Sequence, residues 1–139
     1  DGERLVFATD TVNLGYRFPG VNLLALEANF DATILARCER MPEKVKKRVT
    51  NSHMEINTLC QYLRTLDLSA CRALYLLHLS NAASNEGNFI SRVRQAVPRH
   101  VQVIICAENR RRMMGITFDL RTAAERQIRV FASEQKKGE

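Results

Sequence analysis

The sequence predicts an α/β fold with a largely parallel sheet. Four short apolar runs, Leu5-Val6-Phe7-Ala8, Val21 to Ala28, Ala73 to Leu77 and Val101 to Cys106, read as buried strands. Two apolar stripes at helical spacing separate the later runs. The resulting order, strand, strand, helix, strand, helix, strand, is that of an α/β layer.

The first run follows the turn Asp1-Gly2, and Asn13, Gly15, Pro19 and Gly20 mark the loop after it. The second run carries Glu27 near its end, with Asn29 and Phe30 beyond. A basic, weakly helical stretch comes next, with Pro42 suited to a first helical turn. Ser52-His53-Met54-Glu55 has the form of a capping box, in which Ser52 accepts from the Glu55 N–H and the Glu55 side chain reaches back. Ile56, Leu59, Cys60 and Leu63 then recur at i, i+3, i+4 and i+7, so a helix is expected with His53 in its first turn. Ala73 to Leu77 reads as a strand buried on both faces. Asn81, Ser84 and Asn85 supply a loop and a cap for a stripe of Phe89, Ile90, Val93 and Val97, closed by Pro98.

After Glu108 the character changes. Residues 1–108 are expected to form the α/β domain, and 109–139 a basic loop, an edge strand and a C-terminal helix. The edge strand would be Gly115-Ile116-Thr117-Phe118. The helix would start from a Thr122/Glu125 capping box and bury Ile128, Phe131 and Ala132.

Composition narrows the class. With 139 residues, 45% hydrophobic and 26% charged, the chain is a single globular domain, neither disordered nor collagen-like. The longest apolar run stops at His78, far short of the roughly 18 to 20 residues that cross a bilayer, so no membrane partner is expected. No basic, apolar and small-residue leader opens the chain. It begins at Asp1 and not at Met, which raises the expectation of a longer parent protein. Cys38, Cys60, Cys71 and Cys106 lack zinc-knuckle spacing and read as reduced thiols, so a cytoplasmic setting is expected.

The net charge is +6 and uneven. Arg37, Arg40, Lys44, Lys46, Lys47 and Arg48 stand against Glu39 and Glu43, and Arg110-Arg111-Arg112 forms a second block. Such a field attracts phosphates, although solvated helix faces account for the same residues.

Ligands of parallel sheets bind beyond the carboxyl ends of the strands. Asp10, Glu27, His53 and His78 fall at or near such ends. Two carboxylates and two imidazoles suit a metal site or an acid–base site. Each also has a plainer reading: Asp10 shaping a turn, Glu27 on an edge strand, His53 exposed on a helix start, His78 bonded to a core carbonyl. Spacing alone leaves these alternatives open.

Phe7-Ala8-Thr9-Asp10-Thr11, Leu26-Glu27-Ala28-Asn29-Phe30, Asn51-Ser52-His53-Met54 and Leu76-Leu77-His78-Leu79-Ser80 occur in succession. Over residues 3 to 107 this order resembles the C-terminal half of metallo-β-lactamase-fold hydrolases. The branch is similar to transfer-RNA 3′-processing endonucleases and phage cyclic-nucleotide phosphodiesterases. The resemblance implies one sheet-plus-helices half of an αββα sandwich. It makes Asp10 a metal-bridging aspartate and His78 the last metal-binding histidine. Glu27 becomes a carboxylate orienting His53, which donates a proton to the leaving oxygen. Ser52 and Ser80, in the same motifs, are phosphate-binding candidates. A His53 at a helix start would also sit where backbone N–H groups favour a phosphate and the dipole disfavours an imidazolium.

The same resemblance exposes a departure. The family's His-x-His-x-Asp-His cluster and its further separate histidine are missing from this sequence, whose histidines are His53, His78 and His100. His100, in a turn after Pro98, is expected to be exposed. Catalytic zinc takes three protein ligands plus water, whereas Asp10 and His78 supply two. The implied activity is therefore part of a metal-dependent phosphodiesterase for a nucleotide or nucleic-acid phosphodiester, inactive alone. It would use two divalent ions, zinc or manganese, once the missing ligands are supplied. Half a sandwich would also bare an apolar sheet face on the order of several hundred Å2. A homo-oligomer or a complementary N-terminal-half chain is the expected partner.

Two other classes compete. One is a nucleic-acid-binding module built on the basic segments, although 6% aromatic residues and no tryptophan argue against a stacking platform. The other is a protein-interaction domain that uses the bared sheet. A phospho-acceptor role for Asp10 lacks the acidic cluster and lysine it would need at strand ends.

Overall fold

The computed structural model describes residues 2–106 and the backbone of residues 129–132. Its strands are β1 (Arg4–Ala8), β2 (Leu23–Glu27), β3 (Ala73–Leu77), β4 (Gln102–Ile105) and β5 (Arg129–Ala132). The helices are α1 (Ala32–Arg37), α2 (Glu43–Ser52), α3 (Ile56–Arg64) and α4 (Glu86–Ala96). The sheet order is β4-β3-β2-β1-β5, with every pairing parallel. The architecture is thus mixed α/β, as the order of apolar runs predicts.

Alternation along the strands decides which face carries the core. Val6, Ala8, Leu24, Leu26, Leu74 and Leu76 are buried in one cluster with Ile56, Leu59, Leu63, Phe89 and Val93 from α3 and α4. Burying one such side chain contributes about 1.5–3 kcal/mol. Phe7, on the opposite parity, is 45% exposed. Leu23, Tyr75, Leu77 and Ile104 are partly exposed and belong to neither apolar cluster.

Helix boundaries follow local chemistry. Asn85 caps α4 by accepting from the Asn88 N–H at 2.9 Å. The buried stripe of α4 is Phe89, Val93 and Ala96. Ile90, expected inside, is 36% exposed, because the i, i+4, i+7 face and not its neighbour meets the sheet. The basic stretch holds two helices. α1 is capped by Asp31, which accepts from the Thr33 and Ile34 N–H groups, and α2 begins after Pro42. Phe30, Leu35 and Ala83 form a small second core, with Ile34, Met41 and Val49 packed on it.

The capping box at Ser52 is not formed. Ser52 is the last residue of α2, its hydroxyl donating to the Arg48 carbonyl at 2.5 Å, and Thr50 donates likewise to Lys46. Glu55 is itself the cap of α3, its carboxylate accepting from the Asn57 and Thr58 N–H groups. The longer acidic side chain folds over its own helix end and leaves Ser52 to the preceding one.

Phe131 and Ala132, expected on a helix, lie in β5, paired with Val6 and Phe7. Two or three apolar residues at helical spacing are a weak signal, and the open edge of β1 offers a ladder that overrides it. The expected strand at 115–118, the Thr122/Glu125 box, Ile128 and the Arg110–Arg112 block lie outside the described residues.

Candidate metal centre

The parallel register gathers the site. Ala8 of β1 is level with Leu26, and Glu27 is level with Leu77, so Asp10, Glu27 and His78 lie at the carboxyl ends of three neighbouring strands. His53 arrives from the helical side. Its N–H donates to the Val49 carbonyl, making it the C-terminal cap of α2. Met54 then accepts from the Asn29 N–H, and the Ile56 N–H donates to Phe30, which ties this segment alongside residues 29–30. On the other flank the Ala28 N–H donates to Leu77 and the Asn29 side chain donates to the His78 carbonyl at 2.7 Å. Glu27 is therefore bracketed by the two histidines.

The donor atoms of Asp10, Glu27, His53 and His78 all lie within 4.8 Å of one another. Glu27 Oε1 is 2.7 Å from His53 Nδ1 and 2.8 Å from His78 Nδ1. Asp10 Oδ1 is 3.6 Å from each of the same nitrogens. The imidazole planes meet at 81° with centroids 4.9 Å apart. Glu27 is fully buried, and its other oxygen accepts from the Thr11 and Met54 N–H groups at 3.3 Å each.

An ionised carboxylate offers about four acceptor sites. With both Nδ1 atoms protonated, a tautomer assigned from the hydrogen-bond network, Glu27 receives four donors and is saturated. The Nε2 atoms of both rings are then left for a cation or for proton exchange, and a carboxylate orients metal-binding histidines in the same way.

Two of these residues hold unusual backbone. Asp10 and His78 have φ of 54° and 56°, the left-handed region. Non-glycine residues there cost roughly 1–3 kcal/mol and persist where surrounding structure over-determines them. His78 directly follows β3 and meets Glu27 at 2.8 Å, and Asp10, two residues past β1, lies 3.6 Å from both imidazoles.

The group can hold a metal ion. Two imidazole nitrogens and two carboxylates are ligand types that divalent cations accept. A tetrahedron with bonds of about 2.0–2.1 Å has edges of about 3.3 Å. In the other tautomer, with the Nδ1 lone pairs and not N–H groups turned to the cluster, the separations of 2.7, 2.8, 3.6 and 3.6 Å straddle that value. The residues fit one cation. A second would need donors beyond these four, since the described residues hold no other such group.

The structure alters the expected setting of several residues. His53 is not on a helix start: it faces the carbonyl end of α2, whose dipole favours a cation and offers no N–H groups to a phosphate. The N-terminal N–H groups of α3 are taken by Glu55. Glu27 is not an edge-strand surface residue, because β2 lies between β1 and β3. Ser80 accepts from the Ala82 and Ala83 N–H groups, and Ser52 donates to Arg48; neither is bonded to the four clustered residues. His100 is exposed, its Nε2 lying 3.0 Å from the Leu68 carbonyl.

Sequence reasoning missed the supporting N–H groups of Thr11 and Met54. Thr11, 2% exposed, stood in the quoted motif and was the available clue. It also missed Arg92, which donates to Asp31 at 2.6 Å and to Asn57, fastening α4 to the cap of α1 and the first turn of α3. All four cysteines are unpaired thiols, and burial pushes those of Cys60, Cys71 and Cys106 up. Among the described residues, no helix is long and apolar enough to cross a membrane. The chain matches no protein-family model and no curated protein.

Proposed function

We propose that the chain is part of a metal-dependent phosphodiesterase, with Asp10, Glu27, His53 and His78 as its chemical centre. The observation that carries this reading is the convergence of these four side chains within 4.8 Å. The ordered motifs that resemble the phosphodiesterase branch of the metallo-β-lactamase fold support it. So does a phosphate-attracting charge of +6.

Asp10 and His78 hold the cation. Glu27 orients both imidazoles and excludes water from their Nδ1 edges. A bound divalent ion supplies Lewis acidity to the phosphoryl group and eases ionisation of water. His53, steadied by Glu27, gives a proton to the departing alkoxide, which is otherwise a poor leaving group. Water supplies the oxygen gained by phosphorus and the proton that restores His53.

Two protein ligands fall short of the three that a catalytic zinc ordinarily takes. A second ion, and turnover, depend on the His-x-His-x-Asp-His ligands from a further segment or a partner chain. The partly exposed face of Phe7, Leu23, Tyr75, Leu77 and Ile104 suits such a partner, or a second copy of the chain.

Cobalt(II) titration with absorption spectroscopy tests the centre. Saturable uptake of one ion is expected, weakened at least tenfold by Asp10→Ala and by His78→Ala. In the ligand-complete protein, hydrolysis of bis-p-nitrophenyl phosphate should require both residues. Uptake and cleavage that survive both substitutions overturn the assignment.

A second reading has its own observation. Lys44, Lys47 and Arg48 are exposed on α2, a helix with no buried residue. A nucleic-acid-binding module using that face would bind duplex or single strands with steep salt dependence and indifference to EDTA.

A further inference from the structure

A groove of about 600 Å3 opens beside the metal centre, and His53 forms part of its wall. That size falls within the roughly 300–1,000 Å3 of small-molecule sites. Phe30, Leu35 and Ala36 give it an apolar side, and Lys47, Thr50 and Asn51 of α2 give it a polar one. His53 is thus shared: its Nδ1 is held by Glu27 at 2.7 Å while its ring borders the groove.

Among the groove's charged side chains, two lysines and two glutamates, Lys47 is a cation outside any ion pair. Glu43 pairs with Lys46 at 2.9 Å, and Lys46 also donates to the Ala36 carbonyl. The Glu55 carboxylate is occupied by N–H groups of Ala32, Asn57 and Thr58. Lys47 is exposed and makes no ion pair or hydrogen bond among the described residues. Its ammonium is a point charge able to take a phosphate.

We propose that this groove holds the leaving portion of the substrate, a nucleoside monophosphate whose ester oxygen lies at His53. The proposal rests on the phosphodiesterase reading above. An apolar wall suits the face of a base. Thr50 and Asn51 suit ribose hydroxyls and base edges, and Lys47 suits the phosphate the leaving nucleotide keeps. In the reaction, water's oxygen bonds to phosphorus and the P–O bond to the leaving ribose breaks. The electron pair departs with that oxygen, which takes its proton from His53; one proton of the water returns to the imidazole and the other stays on the new phosphate monoester. Contact with the leaving nucleoside therefore places its hydroxyl where the proton is delivered.

The test is calorimetric titration of the 139-residue chain in EDTA with the four ribonucleoside monophosphates, ribose 5-phosphate and inorganic phosphate. Saturable nucleotide binding is expected, at least about tenfold tighter than for either sugar phosphate or phosphate, because the base adds apolar contact. Lys47→Glu should weaken it by about tenfold or more. Ala36→Trp, which fills the wall, should abolish it. Both positions are exposed on helices, and unchanged cobalt(II) uptake shows that each variant keeps its fold. The inference is overturned if nucleotides do not saturate, if phosphate binds as tightly, or if both variants bind like the parent. A chain that binds nucleotides but takes up no cobalt would sink the phosphodiesterase reading and leave the groove standing.

Discussion

Glu27 and His53, 26 residues apart, meet at 2.7 Å because one ends a central strand and the other ends a helix. The same Glu27 oxygen lies 2.8 Å from His78. A single buried carboxylate therefore sets the orientation of both imidazoles, and its loss has consequences for stability and for ligand binding together.

Glu27→Gln keeps the shape but offers fewer acceptor sites, and its amide N–H groups oppose the donors around it. Leaving a buried donor unmatched costs about 1–3 kcal/mol. Urea unfolding should show a loss of that size. Cobalt affinity should fall about 10- to 100-fold, as when the partner of a ligating histidine is removed.

Asp10→Gly separates function from folding. Asp10 is largely exposed, with a side-chain accessibility of 67%, and its φ of 54° is one that glycine adopts freely. Thermal unfolding should show stability held or raised by up to about 1 kcal/mol. Cation uptake should fall at the same time. A clear loss of stability would mean that Asp10 is a structural turn residue.

Asp31 makes the fold acid-sensitive. Burial works to raise its carboxyl, but the Ile34 N–H, the Arg92 guanidinium and the Thr33 N–H outweigh it and hold it below the usual carboxylate range. A depressed folded value contributes stability that is complete above the unfolded value and lost as pH falls through the folded one. Melting temperatures measured downward from pH 6 should drop most steeply below about pH 4. Asp31→Asn, which still caps α1, should flatten that drop.

Phe89→Ala empties the centre of the contact between α4 and the sheet. Phe89 is fully buried in the main cluster, so a loss of about 3–5 kcal/mol is expected by denaturant unfolding. Ile90→Ala, at a 36% exposed position one residue on, should cost much less.

The amino-acid order by itself determined the parallel α/β layer. Apolar runs with a length and composition suited to buried strands, and stripes such as Ile56, Leu59, Cys60 and Leu63, admit few other arrangements. It also marked Asp10, Glu27, His53 and His78, because polar groups bordering buried strands are costly unless they have partners. What the family resemblance divides into a metal pair and an acid–base pair stands together in the tertiary structure, since only strand register shows that Glu27 lies between both histidines. Local pattern also assigned Ser52, His53 and Glu55 to one helix end, when two helices compete for those residues. Phe131 and Ala132 likewise answer to the open edge of β1 and not to their own spacing. Patterns along a chain report which face is apolar. Which neighbour a hydrogen-bonding group finds is set by distance in space, and that emerges only on folding.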